Sequence, residues 1–145
     1  MGDEEIARIQ QLFASDTLAQ QMGVTLVGVD ARAVTLEMTV RTDQIGWHGR
    51  CHGGVLFTLA DIAMSYVGNR FPDMAYASHA AIDFVGGVDE GDVVTAVAEE
   101  SVRRGRSGVC DVTLRVGNDV ICVFRGNTLG ARSKNQGGEE RRTTV

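Results

Sequence analysis

Between Cys51 and Asn69 an apolar run reads CHGGVLFTLADIAMSYVGN and carries one ionisable acid, Asp61, behind a His52-Gly53-Gly54 start. Val55, Leu56, Leu59, Ile62, Ala63, Met64 and Val67 leave almost no polar face, so a helix over this stretch is expected to be buried on most sides. An ionised carboxylate carried inside with it must find partners, shift its pKa or do chemistry, because leaving it unpaired away from water is very costly. Gly53 and Gly54 fall at the helix start, where N–H groups lack internal acceptors, the macrodipole is positive, and the missing Cβ admits a ligand. An amide that polarises a carbonyl and a carboxylate that activates water, or attacks, are the parts needed to open an acyl bond. Plainer roles exist for both: the glycines would only shape a turn, and Asp61 would pair with an arginine such as Arg70.

Asp61 lies eight residues beyond Gly53, about 12 Å along a helix. One carbonyl cannot touch both. If both serve the same reacting group, Asp61 must face Gly53 of a second copy across a two-fold interface.

The surrounding elements follow from periodicity. From Glu4 to about Met22 the apolar spacing fits an amphipathic helix broken at Ser15-Asp16 and ended by Gly23. Strands are expected at 24–29 and 34–40, with a turn at 30–32 and a polar loop from Arg41 to Arg50. The central helix should stop near Gly68-Asn69, before Pro72. Four more strands, 77–85, 93–102, 108–116 and 120–129, read as a meander, with Gly117-Asn118-Asp119 as one hairpin turn. About six strands and one helix apolar all round predict an α+β domain over 1–132, with the sheet curled on the helix. Residues 133–145, SKNQGGEERRTTV, lack an apolar period and read as a disordered tail.

With 145 residues and 43% hydrophobic content the chain suits one domain with a real core. A formal charge of -5 argues against a nucleic-acid surface, and no uninterrupted apolar stretch is long enough for a membrane span. The acidic N-terminus MGDEEIARIQ is unlike a signal peptide, and three cysteines, Cys51, Cys110 and Cys122, are an odd number, so a reducing cytoplasm is expected. Cys51, His48, His52 and His79 lack a paired metal-ligand spacing, and no phosphate loop or dinucleotide fingerprint is present, so neither metal nor cofactor is expected. Cys51 beside His52 invites a nucleophile reading, which burial of the thiol argues against.

The stretch His48 to Asp61 resembles the hotdog-fold acyl-CoA thioesterases of the phenylacetate-degradation type. Ala81-Ile82-Asp83-Phe84 with Gly91-Asp92, Gly108 to Val112, and Phe124-Arg125-Gly126 resemble that family's later strands in the same order, over roughly residues 10–130. Gly46 stands where members commonly have asparagine, with His48 nearby, and Gly86-Gly87 stands where they commonly have Arg-Pro. The resemblance implies hydrolysis of an aryl-acyl-CoA such as phenylacetyl- or hydroxyphenylacetyl-CoA. It also implies homodimers, commonly paired into tetramers, whose sites use both chains. In that reading the Gly53 N–H, with Gly54 beside it, polarises the thioester carbonyl, and Asp61 acts as general base or nucleophile. His52 orients the loop or acts as the base. Arg103, Arg104 and Arg106 form a basic hairpin tip suited to coenzyme A phosphates, with Arg125 a further candidate; the alternative is a solvated turn. A hotdog enoyl-CoA hydratase or dehydratase and a non-catalytic acyl-CoA-binding module are the competing functions.

Overall fold

The computed structural model describes residues 1–132; the tail expected at 133–145 lies outside the described residues. Helices α1 (Asp3–Ser15) and α2 (Thr17–Met22) are separated at Asp16, whose carboxylate caps the second helix by accepting from Ala19 N at 3.0 Å. Gly23, at φ 74°, closes α2 in the left-handed conformation that glycine adopts without strain. Strands β1 (Val24–Val29) and β2 (Ala33–Thr39) follow. Asp30 turns them by accepting from the amides of Arg32 and Ala33. Helix α3 (Gly53–Gly68) then leads to β3 (Ala75–Phe84), β4 (Val93–Arg104), β5 (Ser107–Val116) and β6 (Asp119–Gly130).

The strands form one antiparallel sheet in the order β1-β2-β4-β5-β6-β3. Here the expected meander is corrected: it holds for β4, β5 and β6, whereas β3 pairs with β6, Ile82 opposite Phe124, and forms the far edge. Alternation of side chains announces a strand but not its neighbour. The other side of β4 is taken by β2, with Leu36 opposite Ala96, which leaves β3 the free side of β6. Residues 85–92 therefore cross the end of the sheet. Val85 N and Gly86 N both donate to Ile121 O, Cys51 N donates to Val88 O at 2.8 Å, and Gly91 N to Val40 O at 2.9 Å. This crossing runs beside the start of α3.

Helix α3 packs against β2, β3, β4, β5 and β6, and Leu59, Ala63, Met64 and Val67 are fully buried with Leu36, Val94, Val112, Leu114 and Phe124. Each large side chain so buried contributes about 1.5–3 kcal/mol. Gly126 on β6 makes room for Met64 of the helix, whose Sδ any Cβ there would run into.

The far end of α3 is held by three guanidiniums on consecutive carbonyls. Arg70 donates to Val67 O at 2.7 Å, Arg103 to Gly68 O at 3.0 Å, and Arg8 to Asn69 O at 2.7 Å. Cations there complement the negative end of the helix. The Glu100 side chain, 4% exposed, accepts from both Arg70 and Arg103. Burial alone would raise its carboxyl, but the hydrogen bonds and charges of Arg103 and Arg70 outweigh burial and hold it below the usual glutamate range.

Candidate active site

The site is built at the first turn of α3. Chain entry is set by a tight turn in which Gly46 N donates to Arg50 O at 2.7 Å and Gly49 N to Gly46 O at 3.0 Å. His52 is the N-cap, with its Nδ1 accepting from Gly54 N at 2.9 Å. Val55 N and Leu56 N are satisfied by the His52 carbonyl, at 3.0 and 3.4 Å. Among the described residues nothing accepts from Gly53 N. Of the first-turn donors, one is therefore open, at the positive end of the dipole, and the structure distinguishes two glycines that look alike in the sequence.

His48 takes a neighbouring role. Its Nδ1 accepts from Arg50 N at 3.2 Å, and a Cβ on Gly46 would lie 3.0 Å from His48 Nε2 and 3.4 Å from His52 Cδ2. The two imidazoles thus flank Gly46 and fill the space a side chain there would need. An open groove of about 490 Å³ runs beside α3, lined by Leu18, Met22, Arg41, His52, Val55 and Thr58 among others.

Gly54, Thr58, Asp61 and Ser65 form a stripe along α3 that is not fully covered, joined over the first turns by the partly buried Gly53, Val55 and Phe57. Asp61 is partly buried there and forms no hydrogen bond or ion pair among the described residues. Partial burial lifts its carboxyl above the ordinary aspartate value. The pairing with Arg70 does not form, because Arg70 is held by Glu100, Glu5 and Val67 O. Cys51 is buried, its thiol pushed up to about 11, and it lies 3.8 Å from the His52 carbonyl, an arrangement that keeps it protonated.

The expected arginines stand away from this turn. Arg103 belongs to the Glu100 cluster at the other end of α3, and Arg106 donates to Gly130 O at 3.0 Å. Arg125 forms a two-pronged pair with Asp111, at 2.6 and 2.9 Å, on the exposed side of β6. The Arg104 side chain, exposed at the β4–β5 hairpin, makes no hydrogen bond or ion pair among the described residues. Arg41, which lines the groove together with His52 and Gly54, is paired with Asp43, and Arg50 of the entry turn lies 3.5 Å from Asp89.

One neighbour of Gly53 carries no local signal in the sequence. The Phe84 ring, from the end of β3, covers the face of Gly53 where a Cβ would project, with Cε1 and Cζ each 3.3 Å from that position. Nothing in the alternation of β3 reveals this contact, which depends on β3 lying beside β6.

Comparison with known proteins accords with this geometry. Residues 48–123 match the family model described as the thioesterase superfamily. The chain is 31% identical over 118 residues to the acyl-coenzyme A thioesterase PaaI of Escherichia coli, covering 81% of this chain and 84% of that protein. The solved structure of the E. coli PaaI protein from the phenylacetic acid degradation operon superposes with a TM-score of 0.85 at 28% identity, over 89% of this chain and 94% of that one. A protein of Thermus thermophilus superposes with a TM-score of 0.74 at 26% identity, over 79% of this chain and 97% of that one. An uncommitted amide at the start of a sheet-wrapped helix, an acid farther along it, and these likenesses lead to one conclusion: the chain belongs to the thioesterase superfamily, as a hotdog-fold acyl-CoA thioester hydrolase of the PaaI type.

Proposed function

We propose that the protein hydrolyses aryl-acyl-CoA thioesters, phenylacetyl-CoA or a hydroxyphenylacetyl-CoA, at a site shared by two copies of the chain. The observation that carries the reading is the uncommitted Gly53 N–H at the positive end of a helix that also bears an unpaired carboxylate, Asp61. The Gly53 amide receives the thioester oxygen and stabilises the charge that develops on it. Asp61 of the partner subunit supplies the other half, because the separation of about 12 Å along one helix is too long for a single carbonyl.

Two routes use the same groups. In the first, Asp61 takes a proton from water, the resulting hydroxide adds to the carbonyl carbon, and collapse expels the coenzyme A thiolate, which is then protonated. In the second, the Asp61 carboxylate adds directly and expels the thiolate, and water opens the resulting anhydride. His52 positions the donor by occupying Gly54 N, and His48 supports the turn beside it. Arg104 of the hairpin tip is the arginine freest to meet the phosphates, while Arg103, Arg106 and Arg125 would have to leave internal partners.

Support for pairing comes from β3, an edge strand with one row of backbone groups unpaired and a largely exposed face. Exposed Val123 and Leu129 on the outer side of β6 suit a second pairing into a dimer of dimers. No helix among the described residues is long and apolar enough to cross a membrane, and free buried cysteines suit a reducing cytoplasm. The test is thiol release from phenylacetyl-CoA by wild type and Asp61→Asn, with thioester binding measured on both. Loss of turnover with binding retained supports the reading. Equal turnover in the variant removes Asp61 from the mechanism. Enoyl absorbance without thiol release turns the assignment to a hydratase, and binding alone to a carrier module.

A further inference from the structure

We infer that Phe84 is a specificity-determining residue of this site, a wall that gauges the acyl carbon next to the reacting carbonyl; the inference rests on the thioesterase reading above. Its ring lies 3.3 Å from the position of a Gly53 Cβ, within about 6 Å of the Gly53 nitrogen by standard backbone dimensions. The ring is 51% exposed, so it meets Gly53 on one side and leaves the other side open. Its backbone is also held in place. Phe84 pairs with Cys122 in the sheet, and the next two amides, Val85 N and Gly86 N, both donate to Ile121 O, at 2.9 and 3.1 Å.

A carbonyl oxygen accepting from Gly53 N brings its carbon within a few ångströms of this ring, together with the two atoms bonded to that carbon. One of them is the thioester sulfur, identical in every coenzyme A ester. The other is the acyl α-carbon, the only neighbour that differs among substrates. A flat, anchored hydrocarbon wall there accepts a methylene and rejects a branch, because a rigidly placed ring cannot give way to an extra methyl group without strain. The glycine at 53 is then required twice, once to admit the oxygen to its amide and once to admit the ring.

The experiment compares phenylacetyl-CoA with its α-methyl analogue, 2-phenylpropanoyl-CoA, on wild type, Phe84→Leu and Phe84→Ala. Wild type should prefer the unbranched ester, and Phe84→Ala should shrink that preference in kcat/KM by about tenfold or more, the range one methyl group commands in an apolar site. Phe84→Leu should fall between, and it keeps the readout available if the alanine variant fails to fold. A preference ratio unchanged within twofold in both variants, or in the leucine variant where that alone folds, overturns the inference while leaving the thioesterase reading intact. If wild type releases no thiol, that reading has failed on its own, and the same ratio is read from calorimetric Kd values for the two esters, where an unchanged ratio again overturns the role of Phe84.

Discussion

His52 Nδ1 and the Gly54 amide are 2.9 Å apart, and this one hydrogen bond decides which glycine of the pair keeps its donor free. His52, beside the open Gly53 amide, is thus committed to holding the helix start. His52→Ala should lower stability by about 1 kcal/mol, the usual cost of a lost cap, and His52→Asn should restore most of it. Thermal unfolding reads this directly. If His52 were instead the catalytic base, the asparagine variant would be stable yet as inactive as the alanine one.

Asp61 carries opposite consequences for stability and for rate. Partial burial raises its carboxyl above 3.8, so the ionised form is disfavoured in the folded chain. Its contribution is favourable in acid and is lost as pH rises through the raised value, so Asp61→Asn should increase Tm at neutral pH. The same variant should lose about 10²- to 10⁴-fold in kcat, the range of a positioned acid–base group. In the wild type, kcat/KM should rise with pH across an apparent pKa above that of an ordinary aspartate. A variant less stable than wild type would show that Asp61 is held by partners in the working assembly.

Glu100 is the acid whose removal should hurt the fold most. It accepts from Arg70 and Arg103 in a nearly closed setting, so Glu100→Ala strips Arg103 of its carboxylate and leaves Arg70 only Glu5, at 3.8 Å, and should cost about 3 kcal/mol. The sign with pH is the reverse of that for Asp61. Its carboxyl is depressed, so the stabilisation is present above the ordinary value of 4.5 and is lost as pH falls below it, through the folded value. Acid unfolding of wild type and Glu100→Gln should therefore converge at low pH. Parallel curves would refute the coupling.

Gly126→Ala should destabilise by about 1–3 kcal/mol, because the added methyl meets the buried Met64 sulfur and lies 3.1 Å from Phe124 Cε1. Urea denaturation with an unchanged m-value would check it. Combining it with Met64→Ala, which empties the opposing space, should recover part of the loss.

For the arginines, Arg104→Ala should raise KM for acyl-CoA by about tenfold, as expected for one charge-assisted bond to phosphate. Arg103→Ala should act mainly on Tm, since its guanidinium holds Glu100 and Gly68 O. Should Arg103, Arg104 and Arg106 be neutralised together with no change in KM, the hairpin tip has no part in coenzyme A binding.

Much of this architecture is legible in local sequence. The all-round apolar run that opens on Gly53-Gly54 and closes at Gly68-Asn69 marks α3, Asp16 and Gly23 punctuate α2, alternation marks β2 and β5, and valine and threonine content with turn spacing marks the other late strands. What alternation does not report is who pairs with whom, so β3 reads as one more meander strand when it lies beyond β6. The same gap hides Phe84, whose approach to Gly53 is a product of that placement. Charge misleads in a related way. Arg103, Arg104 and Arg106 look alike on a hairpin, yet the first is occupied by Glu100 on its own strand and by Gly68 O at the end of α3, and the third by Gly130 O at the end of β6.

The two ends of α3 are fastened by different means, an imidazole cap at the front and three guanidiniums at the rear, so the helix behaves as a rod with Gly53 and Asp61 at set marks along it. In the two-fold pair proposed above, each rod would deliver its donor to one reaction centre and its acid to the other. Tilting a single rod would then misalign both centres together, which makes catalytic competence a property of the pair, gained or lost as a unit.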